Sequence, residues 1–353
     1  MKKIFLIIII IILALSITSC SAIEELLLYE ASYNNEAQHI DGQLLIDVID
    51  VGQGDSILII TPEGKTMLID SGEANAYKSV SNSLKKYSVS TIDWLVATHP
   101  HSDHIGCMYK IVSDYNIGKV YMPNIAHTSK TYEKLLKNIK NKKIQTSVAR
   151  SGLEIDMGSG ILCKFFSPVK DKEYNDLNDY SPIMKITYGK TSFLTTGDAG
   201  FENESDAIKY NKELLDSDVI KIAHHGSDTA TSADFLNAVS PFYALISVGK
   251  DNKYGHPCKE TLDILKKNGI PVIRTDKEGD IIIVSDGKKI SVNDKNIDTS
   301  IVSASKTDFV YKTKSGKTYH KENCTYIKGN SERLTIDEAK KLGLKPCSRC
   351  IPK

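Results

Sequence analysis

The sequence predicts an α/β protein that carries a second, much smaller module at its C-terminal end. Short apolar runs of strand length alternate with helix-length segments between residues 43 and 293. Several of these runs end directly in His or Asp, which places metal-type side chains at the ends of buried strands. With 353 residues and 41% hydrophobic residues, the chain is long enough for one large core and a small module.

The order of the elements follows from the apolar runs and from the turn signals between them. Runs rich in Ile, Leu and Val indicate strands, and longer segments with apolar residues three or four apart indicate helices. The predicted strands are 43–51, 56–61, 66–70, 92–97, 119–122, 161–166, 183–196 (a hairpin that turns at 189–190), 219–223, 243–248, 271–274, 280–284 and 289–292. The predicted helices are 75–87, one that runs from the 99–104 motif to residue 115, and 129–141, 201–215, 233–239 and 257–267.

Residues 98–106 carry the strongest functional signal. They contain the pattern H-x-H-x-D-H, formed by His99, His101, Asp103 and His104. A strand end directs His99 and His101 to one point, and the turn that follows brings Asp103 and His104 to a second point. Imidazole and carboxylate ligands suit zinc or manganese. The segment therefore predicts a two-metal hydrolytic site, in which metal ions activate water for attack on an ester.

Partner residues follow at the ends of later strands. Asp198 ends an apolar run in Gly-Asp and could bridge two metals; the alternative is a helix N-cap. His224 and His225 end the next run. One of them is predicted to bind metal, with His225 favoured, and the other to contact the substrate or donate a proton. His256 lies in a loop between a strand and a helix and could also reach the site.

Together these pieces resemble the metallo-β-lactamase superfamily, and within it the β-lactamase-like domain of ComEC-type DNA-uptake competence proteins. The resemblance covers about residues 43–293 and includes D-V-G-Q-G-D at 50–55, H-H-G-S at 224–227 and G-K-x-N-x-Y-G-H-P at 249–257. It implies a four-layer αββα sandwich. It also implies metal ligands and two supporting carboxylates behind them: the ligands would be His99, His101, Asp103, His104, Asp198 and His225, and the supports Asp70 and Asp55.

One metal position departs from the wider superfamily. Many members have a further metal-binding His before the bridging Asp, and the only His in that interval here is His127, which has no Gly-His motif around it. A surface or substrate-loop role is therefore predicted for His127. The two expected metals share Asp198, with Asp103 and His104 for one, His99 and His101 for the other, and His225 or His256 for the incomplete position.

A second metal motif follows a polar linker at 294–307. His320 and Cys324 give H-x₃-C, and Cys347 and Cys350 give C-x₂-C, a set of four zinc-type ligands. A segment this short needs such a staple because its core is small; a single disulfide is the alternative. The segment 308–353 also resembles the small zinc module of the Ada DNA-repair protein. One His replaces a Cys of that pattern, so we expect a structural zinc without reactive-thiol chemistry.

The N-terminus reads as an export signal. Lys2 and Lys3 precede the apolar run 4–15, which is too short for a comfortable membrane span, and small residues then lead to Cys20. This order resembles a bacterial lipobox, so residues 1–20 are predicted to be a signal peptide, with lipidation at Cys20; an uncleaved anchor is the alternative. Residues 21–42 read as a tether. We expect the protein on the extracellular face of the cytoplasmic membrane, or released from it.

The net charge of +1 conceals an asymmetry. Residues 306–353 hold twelve Lys and Arg against five Asp and Glu, so the larger part of the chain is acidic and its C-terminal end is basic. A basic tail attracts a polyanion at a distance. Nucleic acid is therefore an expected partner, and a tail that only improves solubility is the alternative.

These observations predict a surface-anchored two-metal hydrolase, with DNA as the expected substrate. Asp103 and Asp198 are expected to act in catalysis, and His224 to contact the phosphate or the leaving group. Two alternatives stay open. One is a hydrolase of a small ester or of a wall-polymer phosphodiester such as phosphocholine. The other is a non-catalytic lipoprotein that binds DNA or wall polymer.

Overall fold

The computed structural model describes residues 42–297, 309–313, 316–321, 324–327 and 331–351. The predicted signal peptide, Cys20 and nearly all of the predicted tether lie outside the described residues, as does most of the predicted linker. Within the described ranges, no helix combines the length and the apolar character needed to cross a bilayer.

The larger of two stacked sheets comes mainly from the N-terminal half of the chain. Its nine strands, numbered in chain order, are β1 (Leu44–Val48), β2 (Ile57–Ile60), β3 (Thr66–Ile69), β4 (Thr91–Val96), β5 (Asn116–Met122), β6 (Gln145–Val148), β14 (Ile281–Ser285), β15 (Ile290–Val292) and β16 (Lys295–Ile297). They lie in the order β16-β15-β14-β1-β2-β3-β4-β5-β6. Strands β3 to β6 are parallel, so their carboxyl ends open on the same edge.

The second sheet has seven strands from the middle of the chain. They are β7 (Glu154–Gly158), β8 (Ile161–Phe165), β9 (Met184–Tyr188), β10 (Thr191–Thr195), β11 (Val219–Lys221), β12 (Tyr243–Ile246) and β13 (Val272–Arg274), in the order β13-β12-β11-β10-β9-β8-β7. Strands β10 to β13 are parallel. The residues that follow β10, β11 and β12 therefore share one edge, as those after β3 and β4 do in the first sheet.

Helices cover the outer face of each sheet. On the first sheet lie α1 (Tyr77–Lys86), α2 (Ser102–Ile105), α3 (Met108–Asp114) and α4 (Lys130–Asn141); on the second lie α5 (Phe201–Asn211), α6 (Ala233–Val239) and α7 (Lys259–Lys267), and α8 (Thr275–Glu278) follows β13. Separate buried clusters fill the space between the sheets and beneath each helical layer. The predicted four-layer αββα sandwich is confirmed.

The predicted helix from the metal motif to Tyr115 is broken into α2 and α3. Cys107 leaves the helical conformation at φ −103° and ψ 0°. Its thiol donates a hydrogen bond of 3.0 Å to the Ser71 carbonyl, which ties the break to the end of β3. The break leaves a single helical turn to position Asp103 and His104.

Two further differences concern sheet edges. Strands β6 and β7 were not predicted. Gln145–Val148 is polar and mostly exposed, and Glu154–Gly158 has only two buried apolar residues, which alternate with exposed ones. Strand β16 extends the first sheet past residue 293, the predicted end of the hydrolase domain. Asn293 and Asp294 form the two-residue turn before it, with φ of 46° and 60°, a conformation that Asn and Asp tolerate.

The C-terminal module is a small four-stranded sheet with one short helix. Its elements are β17 (Phe309–Thr313), β18 (Thr318–His320), β19 (Ser331–Thr335), α9 (Ile336–Lys341) and β20 (Lys345–Pro346), with the strand order β19-β17-β18-β20. Its buried apolar cluster consists of Val310, Tyr319, Leu334 and Ala339. A core of this size provides little stability by itself.

Candidate metal centres

One buried cluster of metal-type donors lies where strand ends of the two sheets meet. Asp103 and His104 belong to α2 after β4, Asp198 follows β10, and His225 follows β11. One nitrogen or oxygen atom from each residue can be chosen so that all four lie within 4.8 Å of one another. The structure thus brings together four of the predicted ligands, two from each sheet.

The Asp198 carboxylate is at the centre of this four-donor cluster. Its Oδ2 lies 3.1 Å from His104 Nε2 and 3.5 Å from His225 Nε2. His225 Nε2 is also 3.4 Å from Asp103 Oδ2. Three buried atoms, His104 Nε2, His225 Nε2 and Asp198 Oδ1, have no hydrogen-bond partner in the described part of the chain. Buried polar atoms without partners are costly. A divalent cation would satisfy these atoms, so the residues fit the metal that the donor set predicts.

The electrostatics of the cluster favour positive charge at this point. Burial raises the pKa of Asp198, but the charges of His104 and His225 outweigh it and hold that pKa well below its usual range. Burial lowers the pKa of both imidazoles, but the Asp198 charge opposes it and the pKa of each is well above the usual value. The carboxylates therefore attract a cation to the space between these side chains.

His104 is oriented by Asp70, which follows β3. The Asp70 carboxylate lies 2.8 Å from His104 Nδ1. It also accepts hydrogen bonds from the Thr98 backbone N–H at 2.9 Å and from the Thr98 hydroxyl at 2.6 Å. With Nδ1 engaged in this way, Nε2 is the nitrogen that faces the four-donor cluster.

His225 is held by groups from both sheets. Its Nδ1 lies 2.9 Å from the Ser247 carbonyl and 3.4 Å from Asp55 Oδ1. The residue adopts φ of 53°, an unfavourable conformation for a His, which its fixed surroundings must sustain. Gly54 lets the loop after β1, which carries Asp55, lie against Asp103, because a Cβ at Gly54 would be 2.1 Å from the Asp103 carbonyl oxygen.

Lys221 supports His225 through Asp55 and was not identified from the sequence. Its side chain is fully buried, and its ammonium group forms an ion pair with Asp55 and donates a hydrogen bond of 3.1 Å to the Gly197 carbonyl. The pair joins the loop after β1 to the strand before His225. The available signal was a lysine inside the apolar run of residues 219–223.

His99 and His101, the ligands predicted for a second metal, lie beside the four-donor cluster. His99 Nε2 is 3.0 Å from His101 Nδ1 and 3.9 Å from Asp198 Oδ2. The Ser181 hydroxyl, also missed from sequence, is 3.2 Å from His99 Nδ1. Burial lowers the pKa of His99 well below its usual value, which favours the neutral, metal-binding form. The His127 ring is 6.5 Å from the His101 ring.

The remaining two predicted histidines lie at the mouth of the site. His224 Nε2 is 3.9 Å from Asp198 Oδ2, and its side chain is partly exposed. His256, predicted as a further ligand, is not part of the four-donor cluster. Its ring stacks with Tyr254 and lies 5.6 Å from the His224 ring.

The C-terminal module contains a second donor cluster, formed by His320, Cys324, Cys347 and Cys350. The three cysteines are free, so the alternative of a disulfide is not what the structure shows. His320 Nδ1 lies 3.3 Å from Cys324 Sγ. Hydrogen bonds from the Cys350 and Arg349 backbone N–H groups lower the pKa of Cys347, which favours the thiolate that zinc requires. The cluster could hold a zinc ion.

Comparison with known proteins identifies the family. The family model of the metallo-beta-lactamase superfamily matches residues 49–250. The chain belongs to this superfamily. The superfamily fold implies divalent metals.

The curated relatives confirm the predicted resemblance to competence proteins. ComE operon protein 3 of Bacillus subtilis is 27% identical over 67% of this chain and 32% of its own length. Competence protein ComA of Neisseria gonorrhoeae is 31% identical over 70% of this chain and 33% of its own length. This chain thus spans about a third of these relatives. Among solved structures, the metallo-beta-lactamase fold protein YhfI of Bacillus subtilis is 12% identical over 69% of this chain and 100% of its own, with a TM-score of 0.46.

Proposed function

We propose that this protein is a phosphodiesterase that cleaves DNA at the outer surface of the cytoplasmic membrane. The observation that carries the proposal is the buried four-donor cluster of Asp103, His104, Asp198 and His225, which fits a divalent metal. The substrate class is supported by the relatives named for competence and by the basic C-terminal module. The location is supported by the predicted export signal and the lipidation site at Cys20.

Different side chains at this site are expected to bind the metal and to contact the substrate. A bound divalent metal would supply Lewis-acid activation of water and of a phosphoryl oxygen. Asp103, His104, Asp198 and His225 would hold it. His99, whose Nε2 lies 3.9 Å from Asp198 Oδ2, and His101 beside it would be available for a second metal.

His224 is the protein group best placed to contact the reacting phosphate. Its Nε2 lies 3.9 Å from the central Asp198 carboxylate, while its Nδ1 lies 3.1 Å from the Thr229 hydroxyl. The ring is thus fixed at one nitrogen and open at the other. We expect that second nitrogen to face a phosphoryl or leaving-group oxygen.

The test is metal-dependent cleavage of labelled single- and double-stranded DNA by the purified protein, with manganese or zinc added. We expect cleavage that Asp103→Ala abolishes while the thermal unfolding temperature stays close to that of the wild type. Asp263→Ala is the matched control, because this exposed aspartate of α7 pairs only with Lys259 among the ion pairs recorded for the described chain. Activity retained in Asp103→Ala would overturn the assignment of the site. A metal-loaded wild type that leaves DNA intact would move the substrate to a small or wall-polymer phosphodiester.

A further inference from the structure

The 249–257 loop holds an exposed aromatic ring in a fixed position at the site entrance. Asn252 organises the loop: its Nδ2 donates to the Gly249 carbonyl at 3.0 Å and to the His256 carbonyl at 2.6 Å. Its Oδ1 accepts from the backbone N–H groups of Tyr254 at 3.2 Å and of His256 at 3.0 Å. A loop with four hydrogen bonds to one side chain is pre-organised, although most of its residues are exposed.

Tyr254 begins a row of rings that leads from solvent to the four-donor cluster. The Tyr254 residue is 54% exposed. Its ring is stacked on His256, with centroids 5.8 Å apart and planes inclined by 24°. The His256 ring is 5.6 Å from that of His224, whose Nε2 is 3.9 Å from Asp198. One face of an aromatic side chain is therefore supported by protein, and the row connects it to the reacting centre.

The charged residues of this loop are Lys250, Asp251 and Lys253, which leave it with a net positive charge. Lys253 Nζ lies 5.2 Å from the Tyr254 ring centroid, and Lys250 is exposed at the start of the same loop. An exposed aromatic side chain next to lysines is the arrangement that binds single-stranded nucleic acid, because every base has a π face and every linkage a phosphate.

We propose that Tyr254 is a stacking subsite for a nucleobase beside the scissile phosphodiester, which makes single-stranded nucleic acid the preferred substrate. The base would stack on the exposed Tyr254 ring in place of the Lys253 ammonium group, which would then lie near its phosphate, while the linkage to be cleaved reaches His224 and the four-donor cluster. This inference rests on the proposed function, since it assigns a substrate position to the same site.

The test compares a single-stranded oligonucleotide with the same oligonucleotide carrying abasic positions, in both cleavage and binding assays on the full chain. We expect Tyr254→Ala to raise KM for the normal oligonucleotide by about 5- to 100-fold with little change in kcat, since stacking contributes about that much per base. The abasic substrate should be cleaved equally by both proteins, and Tyr254→Trp should retain the wild-type preference. Tyr210→Ala is the matched control, because Tyr210 is 57% exposed but lies on α5.

The outcomes separate this subsite from the proposed function. DNA cleavage that is the same in Tyr254→Ala and in the wild type would overturn the subsite and leave the nuclease assignment intact. A wild type that does not cleave DNA would overturn the proposed function; fluorescence anisotropy then decides, and base-dependent binding lost in Tyr254→Ala would still support the subsite. Binding that does not distinguish the two oligonucleotides would overturn it.

Discussion

Two donor clusters in the described part of the chain, one in the hydrolase domain and one in the C-terminal module, are supported by very different amounts of structure. The four-donor cluster of the hydrolase domain lies between two large sheets with three buried apolar clusters around them. The cluster of His320 and the three cysteines lies on a four-stranded sheet with a core of four buried residues. We infer that the hydrolase domain folds whether or not metal is bound, whereas the folding of the C-terminal module depends on a bound metal.

The hydrogen bonds behind the ligands differ in the same way. In the hydrolase domain, Asp70 orients His104, and Ser247 and Asp55 engage His225. In the module, the side-chain support recorded for His320 is a Thr318 hydroxyl at 2.9 Å from Nε2. A ligand with a strong support keeps its position without metal, and one with little support depends on the ion.

The largest expected effect is loss of the C-terminal module in Cys347→Ser. Structural zinc contributes about 10–16 kcal/mol of apparent binding free energy in small modules, so we expect loss of one zinc per chain and of the module's protection from proteolysis. Trp94, the only tryptophan, lies half-buried in β4 and reports on the hydrolase domain alone. In Cys347→Ser, the urea midpoint of the unfolding transition that Trp94 fluorescence reports should not change. A shift of that midpoint to lower urea would show that the hydrolase domain also depends on the module's zinc, which contradicts the comparison.

The next effect is a loss of function without a loss of fold in Asp198→Asn. Removing the central charge should weaken metal binding and reduce the rate of hydrolysis by more than about 100-fold. The Trp94 unfolding midpoint should fall, since His104 and His225 lose their counter-charge, but the domain should stay folded because the three apolar clusters are unchanged. Metal content per chain, measured by mass spectrometry, distinguishes this result from a mutation that only slows the chemistry. Unfolding of the domain on loss of metal would show that the ion supports both parts of the molecule.

Lys221→Met tests whether protein charges pre-form the hydrolase centre. Removing one partner of a buried ion pair costs about 3–5 kcal/mol, because the Asp55 charge would remain without compensation. The double variant with Asp55→Asn should recover much of that loss. Lys164→Met is the matched control: its pair with Glu154 is partly exposed and contributes about 1 kcal/mol or less. Equal losses for the two lysines would mean that the buried pair has no special role.

The fold could be predicted well from the sequence, and so could the residues that meet in the four-donor cluster, because both depend on local patterns; their roles as metal ligands stay predictions. Apolar runs that end in His and Asp identify strands and ligands together. What could not be predicted depends on contacts across the two sheets. Lys221 and Asp55 are 166 positions apart in the chain, and a lysine in an apolar run has no visible partner there. The ligand role of His256 stays a prediction; its placement, stacked with Tyr254 and 5.6 Å from the His224 ring, depends on the Asn252 hydrogen bonds and could not be predicted from the sequence.

The smallest expected effect is a difference in how the stability of the hydrolase domain and that of the C-terminal module depend on pH. Asp47 in β1 is buried, and burial, together with the nearby Asp280 charge, raises its pKa to about 7 despite a hydrogen bond of 2.7 Å from the Ser83 hydroxyl. Because this folded-state pKa exceeds the unfolded value of about 3.9, the folded state binds the proton more tightly. The stabilisation is present below about pH 4 and is lost as the pH rises to about 7, with an upper bound of about 4 kcal/mol.

Asp47→Asn should therefore unfold at higher urea than the wild type at pH 8 and should reduce the slope of stability between pH 4 and 7. Burial also raises the pKa of Glu204 to about 7, so part of the pH dependence of stability should remain in Asp47→Asn. The C-terminal module should respond in the opposite direction, since acid protonates the cysteine thiolates and releases zinc. Trp94 fluorescence and a chromogenic zinc indicator follow the two transitions in one sample. If both parts lost stability together on acidification, metal-ligand protonation would govern the hydrolase domain as well, and its fold would depend on metal as the module's does.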